Sequence, residues 1–361
     1  MGVKMKKFVM IIMALMVAML GFVGCGDGQA ANGDGNGDAG DDGKIHVVAT
    51  IFPEYDWVMN VIGAGNDDLG DAAGLVLDLS EDVDVELIVG NGVDMHSYQP
   101  TVEDIAKIST ADLLIYVGGE SDKWVDDAVR EALKSKNSDM AVINLMEVMG
   151  DAAKEEEFVE GMEADEDAST DADLVGAEPE ETEYDEHVWL SLKNAQLFVS
   201  AIAEKLGELD PDNAISYEGN ADVYNDELAH LDADYRDLFM LTSRSHLVFG
   251  DRFPFRYLFD DYYMEYYAAF PGCSAETEAS FETVTFLAGK VDEMGLKSVL
   301  TIEGNDHRLA ETIVNNTTEK NQRILTVNSM QSISTADISN GATYLKIMRD
   351  NLDVFKTALQ F

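Results

Sequence analysis

The chain has 361 residues, 46% of them hydrophobic, and 70 acidic against 24 basic residues give it a formal net charge of −46. That length accommodates two lobes of ordinary domain size, each with its own sheet. Phosphate backbones require clusters of Lys and Arg, and the chain carries none, which argues against nucleic acid as a partner.

In chain order, Lys4, Lys6 and Lys7 come first, then an apolar run from Phe8 to Leu20, then Phe22-Val23-Gly24-Cys25. A basic start, a short apolar core and small residues before a cut predict a secretory signal over residues 1–24 rather than a permanent span. A Cys directly after Gly resembles a lipoprotein signal, which implies lipidation at Cys25 and a mature chain anchored to the extracytoplasmic side of the cell membrane. With Cys25 so used, Cys273 has no partner for an intrachain disulfide; it reads as a small packed hydrophobe or, alternatively, as a soft metal ligand. Residues 25–43, nearly devoid of groups that can be buried, predict a flexible tether.

Lys44–Thr50 has the β-branched density of a buried strand, ended by Pro53, and Tyr55–Ile62 reads as a helix. Leu87-Ile88-Val89 reads as a second strand leading into a loop with His96. Thr101 followed by Asp104 has the form of a helix N-terminal cap, predicting a helix to about Thr110. Strands follow at Ala111–Val117 and Met140–Asn144, with a helix over Trp124–Leu133 between them. This alternation predicts parallel sheets with crossover helices. Residues 155–186 hold 16 Asp or Glu and no Lys or Arg; such a segment repels itself, and 151–186 reads as an exposed, mobile insert. Helices are expected at Leu192–Leu206 and at Asp212–Leu241, the second long enough to act as a strut between two halves. The second half is expected to hold strands at His246–Phe249, Ser298–Ile302 and Arg323–Val327, with helices at Phe281–Met294, His307–Asn316 and Tyr344–Leu359. The aromatic cluster Tyr262 to Tyr267 reads as core packing.

Two of the six histidines stand out. His96 lies in Asp94-Met-His-Ser-Tyr-Gln-Pro-Thr101, and His187 in Asp185-Glu-His-Val-Trp-Leu-Ser-Leu-Lys-Asn194. Imidazole suits borderline divalent metals, and carboxylates can complete the shell. Isolated histidines are usually hydrogen-bonded structural residues, and His46, His230, His246 and His307 are read that way.

With these segments in order, together with Asp104-Ile-Ala-Lys-Ile-Ser-Thr-Ala-Asp-Leu113 and Gly341-Ala-Thr-Tyr344-Leu, residues 44–361 resemble the metal-binding lipoprotein of a zinc or manganese ABC importer. The resemblance implies an α/β chain of two lobes, each a mostly parallel sheet flanked by helices, joined by one long rigid helix. The expected divisions are an N-terminal lobe at 44–190, linking helices at 191–243 and a C-terminal lobe at 244–361. It further implies capture of Zn2+, or next Mn2+, as transported ligand, and delivery to an ABC permease in the membrane. His96 and His187 match the first two ligands of that family. The family's third donor, a His or Glu five residues before a Tyr, falls on Arg252, which cannot ligate a cation; Asp251 is the nearest substitute, with Pro254 allowing a one-residue shift. The fourth place falls at Asn328-Ser329, and the carboxylate of Glu303 is taken instead, with His246 and His307 as weaker candidates. Asp251 as an ion-pair partner of Arg252 or Arg256, and Glu303 as a capping carboxylate, are the structural alternatives. Two other classes stay open: a receptor or adhesin of the same fold with a non-metal ligand, and a metallohydrolase. No HExxH or GxSxG motif supports the latter, so the chain reads as no enzyme.

Overall fold

The computed structural model describes residues 43–65, 69–135, 139–163, 183–274, 278–304 and 306–360. The signal, Cys25, nearly all of the tether, and residues 164–182 of the acidic insert lie outside them. The first sheet is built from β1 (Ile45–Ala49), β2 (Val83–Leu87), β3 (Leu113–Tyr116) and β4 (Ala141–Asn144), all parallel and in the order β2-β1-β3-β4. Helices α1 (Phe52–Val61), α2 (Val102–Thr110) and α3 (Lys123–Ser135) return the chain between strands, and the short α4 (Leu145–Met149) follows β4. The cap expected from Thr101 and Asp104 forms: each side chain bonds the other's backbone, which fixes where α2 starts.

Two helices then leave this sheet, α5 (Leu192–Leu209) and α6 (Ala214–Leu241). The 28 residues of α6 span about 42 Å at 1.5 Å per residue. Its buried residues Tyr217, Tyr224, Leu228, Leu231, Tyr235 and Leu238 recur at helical spacing. Near its start Asn220 bonds the backbone of Val61 and Leu77, and towards its end Tyr235 bonds the carbonyl of Met348. One helix is therefore fastened to both halves.

The second sheet repeats the arrangement of the first. It contains β5 (His246–Phe253), β6 (Glu265–Pro271), β7 (Ser298–Ile302) and β8 (Arg323–Val327), parallel, in the order β6-β5-β7-β8. Helices α7 (Arg256–Asp261), α8 (Phe281–Met294), α9 (Arg308–Asn316), α10 (Thr335–Ser339) and α11 (Tyr344–Leu359) accompany it. In the aromatic run read as packing, Tyr262, Met264 and Tyr266 are buried in the core, and its last three residues open the strand β6, itself buried over most of its length. Aromatic residues suit a pleated half-buried surface, so the composition was legible and the element was missed. The expected strand at Leu87–Val89 lies earlier, at Val83–Leu87.

One continuous apolar cluster runs from Val47 and Trp57 through Phe198 and Tyr224 to Phe249, Phe259 and Phe355. The two lobes thus share a core through α5 and α6, and smaller clusters line the outer face of each sheet. Among the described residues no helix is long and apolar enough to cross a membrane.

Candidate metal site

Loops at the carboxyl ends of the parallel strands carry the chemistry, as open α/β sheets favour. The loop after β2 carries His96 in a single turn, Met95–Ser97, started by the Asp94 carboxylate accepting the amide of His96 at 3.0 Å. The loop after β3 supplies Gly119 and Ser121. His187 comes from the far end of the acidic insert, just before the turn Val188–Leu190. These distant stretches bring the Nε2 atoms of His96 and His187 to 3.1 Å from one another. Both side chains are shielded, at 6% and 0% exposed.

The opposite ring nitrogens are both engaged. Nδ1 of His96 lies 2.6 Å from the Ser121 hydroxyl, which donates to Glu186 at 2.5 Å. The Glu186 carboxylate is itself 3.2 Å from the same nitrogen. Nδ1 of His187 is 2.9 Å from Asp185. Acceptors at both Nδ1 atoms assign the protons there, leaving both Nε2 lone pairs turned on each other. Two lone pairs at that distance repel unless a cation lies between them. At zinc–nitrogen bonds of about 2.05 Å, a 3.1 Å separation subtends about 100° at the ion, close to tetrahedral.

Electrostatics favour the neutral form of His96. Burial holds the His96 imidazole below its usual pKa, and the charges of His187 and Arg252 act the same way against the pull of Glu186. Burial works to raise the Glu186 pKa, but its contacts with His96 and Ser121 outweigh this and hold it ionised below the usual carboxylate range. Behind it lie two more buried acids. Asp122 is pushed up to about 7 by burial and by the charge of Glu186, and Glu54 is raised by burial and by Asp122.

Two glycines make room for the ligand loops. A Cβ on Gly119 would fall 2.0 Å from Oε2 of Glu186, and one on Gly272 would come within 3.0 Å of the His187 ring. Only a bare backbone lets these loops close on the site.

Asp251 and Glu303 have other partners. Asp251 sits in β5 at a break of register and accepts from the Thr301 hydroxyl at 2.6 Å and the Ile302 amide at 3.1 Å. Glu303, just after β7, accepts from the Ser329 amide and hydroxyl at 2.6 and 2.7 Å and from the Gln331 amide at 3.3 Å. That turn in turn meets the histidine segments: Ser329 accepts from the Trp189 indole at 2.9 Å, and Gln331 from the Met95 amide at 3.2 Å. The structure brings the two histidines together and leaves each carboxylate bonded to a neighbouring strand or turn, Asp251 to the end of β7 and Glu303 to the turn after β8. Among the described residues no three His, Cys, Asp or Glu side chains form a ready donor set. The Cys273 thiol stands 4.0 Å from Nδ1 of His187, and burial, then the charges of Glu186, Asp185 and Glu156, push its pKa well up.

Sequence reasoning read 151–186 as an exposed, mobile insert, and its described ends behave otherwise. Residues 154–163 lie against the second lobe: Glu156 accepts from the Cys273 amide, Glu157 from the Tyr266 hydroxyl, and the Glu163 amide bonds Ala269. Acids that looked purely solvated act as acceptors. It also missed Ser121, Glu186 and Asp185 as partners of the imidazoles, although Asp185 and Glu186 stand directly before His187.

The profile of the family described as zinc-uptake complex component A, periplasmic, matches residues 47–358. The chain belongs to this family. A high-affinity zinc uptake system protein of Bacillus subtilis is 27% identical over 336 residues, covering 93% of this chain and 92% of that one. A zinc-binding protein of Streptococcus pyogenes is 25% identical over 325 residues, covering 87% of this chain, which spans only 56% of the streptococcal protein. The crystal structure of a metal-dependent lipoprotein from B. subtilis superposes with a TM-score of 0.65 at 24% identity, over 88% of this chain and all of the other. That likeness bears out the two-lobed α/β fold.

Proposed function

We propose that the protein captures one divalent metal ion, zinc first and manganese next, between its lobes and delivers it to an ABC importer permease. The placement we infer is extracytoplasmic, with Cys25 as the lipid anchor. The observation that carries this reading is the pair of facing Nε2 atoms at 3.1 Å with both Nδ1 atoms held by hydrogen-bond acceptors. Acceptors behind ligating histidines orient them and raise their basicity. His96 and His187 are the donors of this reading. Asp251 and Glu303 enter it as carboxylates that would have to exchange their present hydrogen bonds to reach the ion. Family membership and the names of the relatives favour zinc, and the nitrogen-rich pair agrees with that choice.

The test is a zinc titration of the purified mature protein against a competing chelator, with native mass spectrometry to count the metal. One ion per chain is expected, lost in both His96→Ala and His187→Ala. Unchanged affinity in those variants refutes the site, and unchanged affinity in Asp251→Asn or Glu303→Gln shows that the carboxylate concerned takes no part.

A further inference from the structure

We infer that Arg252 is the positioning residue of this site: an inter-lobe latch that seats the His96 loop through Asp94. Its effect on metal rests on the capture reading above, whereas its geometry does not. Arg252 lies near the end of β5 in the second lobe, and its Nη2 donates to Oδ2 of Asp94 in the first. The other oxygen of Asp94 accepts the His96 amide at 3.0 Å. A single carboxylate therefore connects a fixed cation of one lobe to the turn that presents the imidazole of the other. The guanidinium also reaches the carbonyl of Ser274 at 3.4 Å, in the segment whose Gly272 lies against the His187 ring.

Three features set this contact apart from an ordinary surface ion pair. It is shielded, with side chains 14% and 26% exposed. It is a charge-assisted bond between a guanidinium and a carboxylate. And it occupies the strand-to-helix position where the resemblance puts a third metal donor. A donor there ties the lobes together through the ion; Arg252 ties them directly. Lobe closure over His96 then needs no metal, and the ion meets a loop already in place.

Two readouts on the full mature chain test this. The first is amide hydrogen exchange at His96, Ser97 and Tyr98 in metal-free protein; the second is zinc affinity by chelator competition. Arg252→Ala and Asp94→Asn are each expected to speed exchange and weaken zinc binding by about tenfold or more. Combined, the two should cost no more than either alone, and Arg252→Lys should recover part of both effects. Should the alanine variant fail to fold, Arg252→Gln keeps the length and removes the charge. Unchanged exchange, or affinity that stays level or tightens when the guanidinium is removed, overturns the latch. Failure of metal capture itself would show as no zinc bound by the unmodified protein, and the exchange measurement would still decide the latch.

Discussion

Asp122 offers a measurable handle on the electrostatics behind the site. It is 4% exposed, accepts the Val117 amide at 2.8 Å and the Gly118 amide at 3.4 Å, and faces Glu186 and Glu54. Its pKa rises from 3.8 to about 7. At about 1.4 kcal/mol per pKa unit, the folded state therefore forgoes about 4 kcal/mol once the group is ionised. The direction follows from linkage: a carboxyl whose pKa is raised by folding holds its proton more tightly in the native state. Its stabilisation is complete below about pH 4, declines as the pH rises, and is gone above about pH 7. About 3 kcal/mol of that decline falls between pH 5 and pH 8.

Asp122→Asn removes the titration while keeping an acceptor for the two amides. Relative to the unmodified chain, the variant should gain stability as the pH rises from 5 to 8. With an unfolding entropy of about 2.1 cal/mol/K per residue over roughly 320 residues, 3 kcal/mol amounts to about 4 °C in Tm. The assay is thermal unfolding of both proteins at the two pH values with a chelator present, reading the difference in Tm so that other titrating groups cancel. Parallel Tm curves across that range would refute the reasoning, since they would mean that Asp122 is already ionised at pH 5.

Glu186→Gln removes the charged acceptor behind His96 and should weaken zinc binding by about 10–100-fold with little change in secondary structure, measured by chelator competition and circular dichroism. Gly272→Ala, whose added Cβ would meet the Phe253 carbonyl and the His187 ring at 2.9 and 3.0 Å, should reduce zinc affinity more than it reduces Tm. An alanine variant that binds as well as the parent would show that the ring has room to move. Glu303→Gln loosens the turn at Ser329 and Gln331 and should cost about 1–3 kcal/mol of stability in urea unfolding of the metal-free protein.

The fold was legible because its signals are local and repeated. Helix limits at Phe281–Met294 and Tyr344–Leu359 follow from apolar spacing between a capping Ser280 or Thr343 and a left-handed terminal residue. The central strands β1, β3 and β7 announce themselves by short, mostly apolar runs. In the candidate site, the meeting of His96 and His187 was legible and the partners of Asp251 and Glu303 were not, for a physical reason. His96 and His187 stand in local settings that recur with the chemistry, so spacing and neighbours reveal them. Asp251 and Glu303 were chosen as carboxylates at the ends of strands, but position along a strand does not fix what an oxygen bonds. Thr301 and Ser329, each far from its carboxylate partner in sequence, decided that. A break of register in β5 between Phe249 and Arg252 adds to the difficulty, because it resets which residues of that strand face the sheet partner.

The two lobes repeat one topology and divide the labour. In the first, carboxylates stand behind imidazoles: Glu186 through Ser121 to His96, and Asp185 to His187. In the second, Glu303 grips the turn whose carbonyls receive Trp189 and Met95, and these are neighbours of the same two histidines. Glu186 and Asp185 therefore act on the imidazole protons, and Glu303 acts on the position of the segments that carry the rings. The two kinds of acid differ in how they should respond to a charge-neutral amide. Replacing Glu186 changes how firmly the imidazole proton is held, so its effect should depend on pH. Replacing Glu303 withdraws a mechanical support, and the resulting loss of affinity should be level across the histidine range. A pH series of zinc affinity on the two glutamine variants separates them, and identical profiles would mean that the lobes do not divide the work in this way.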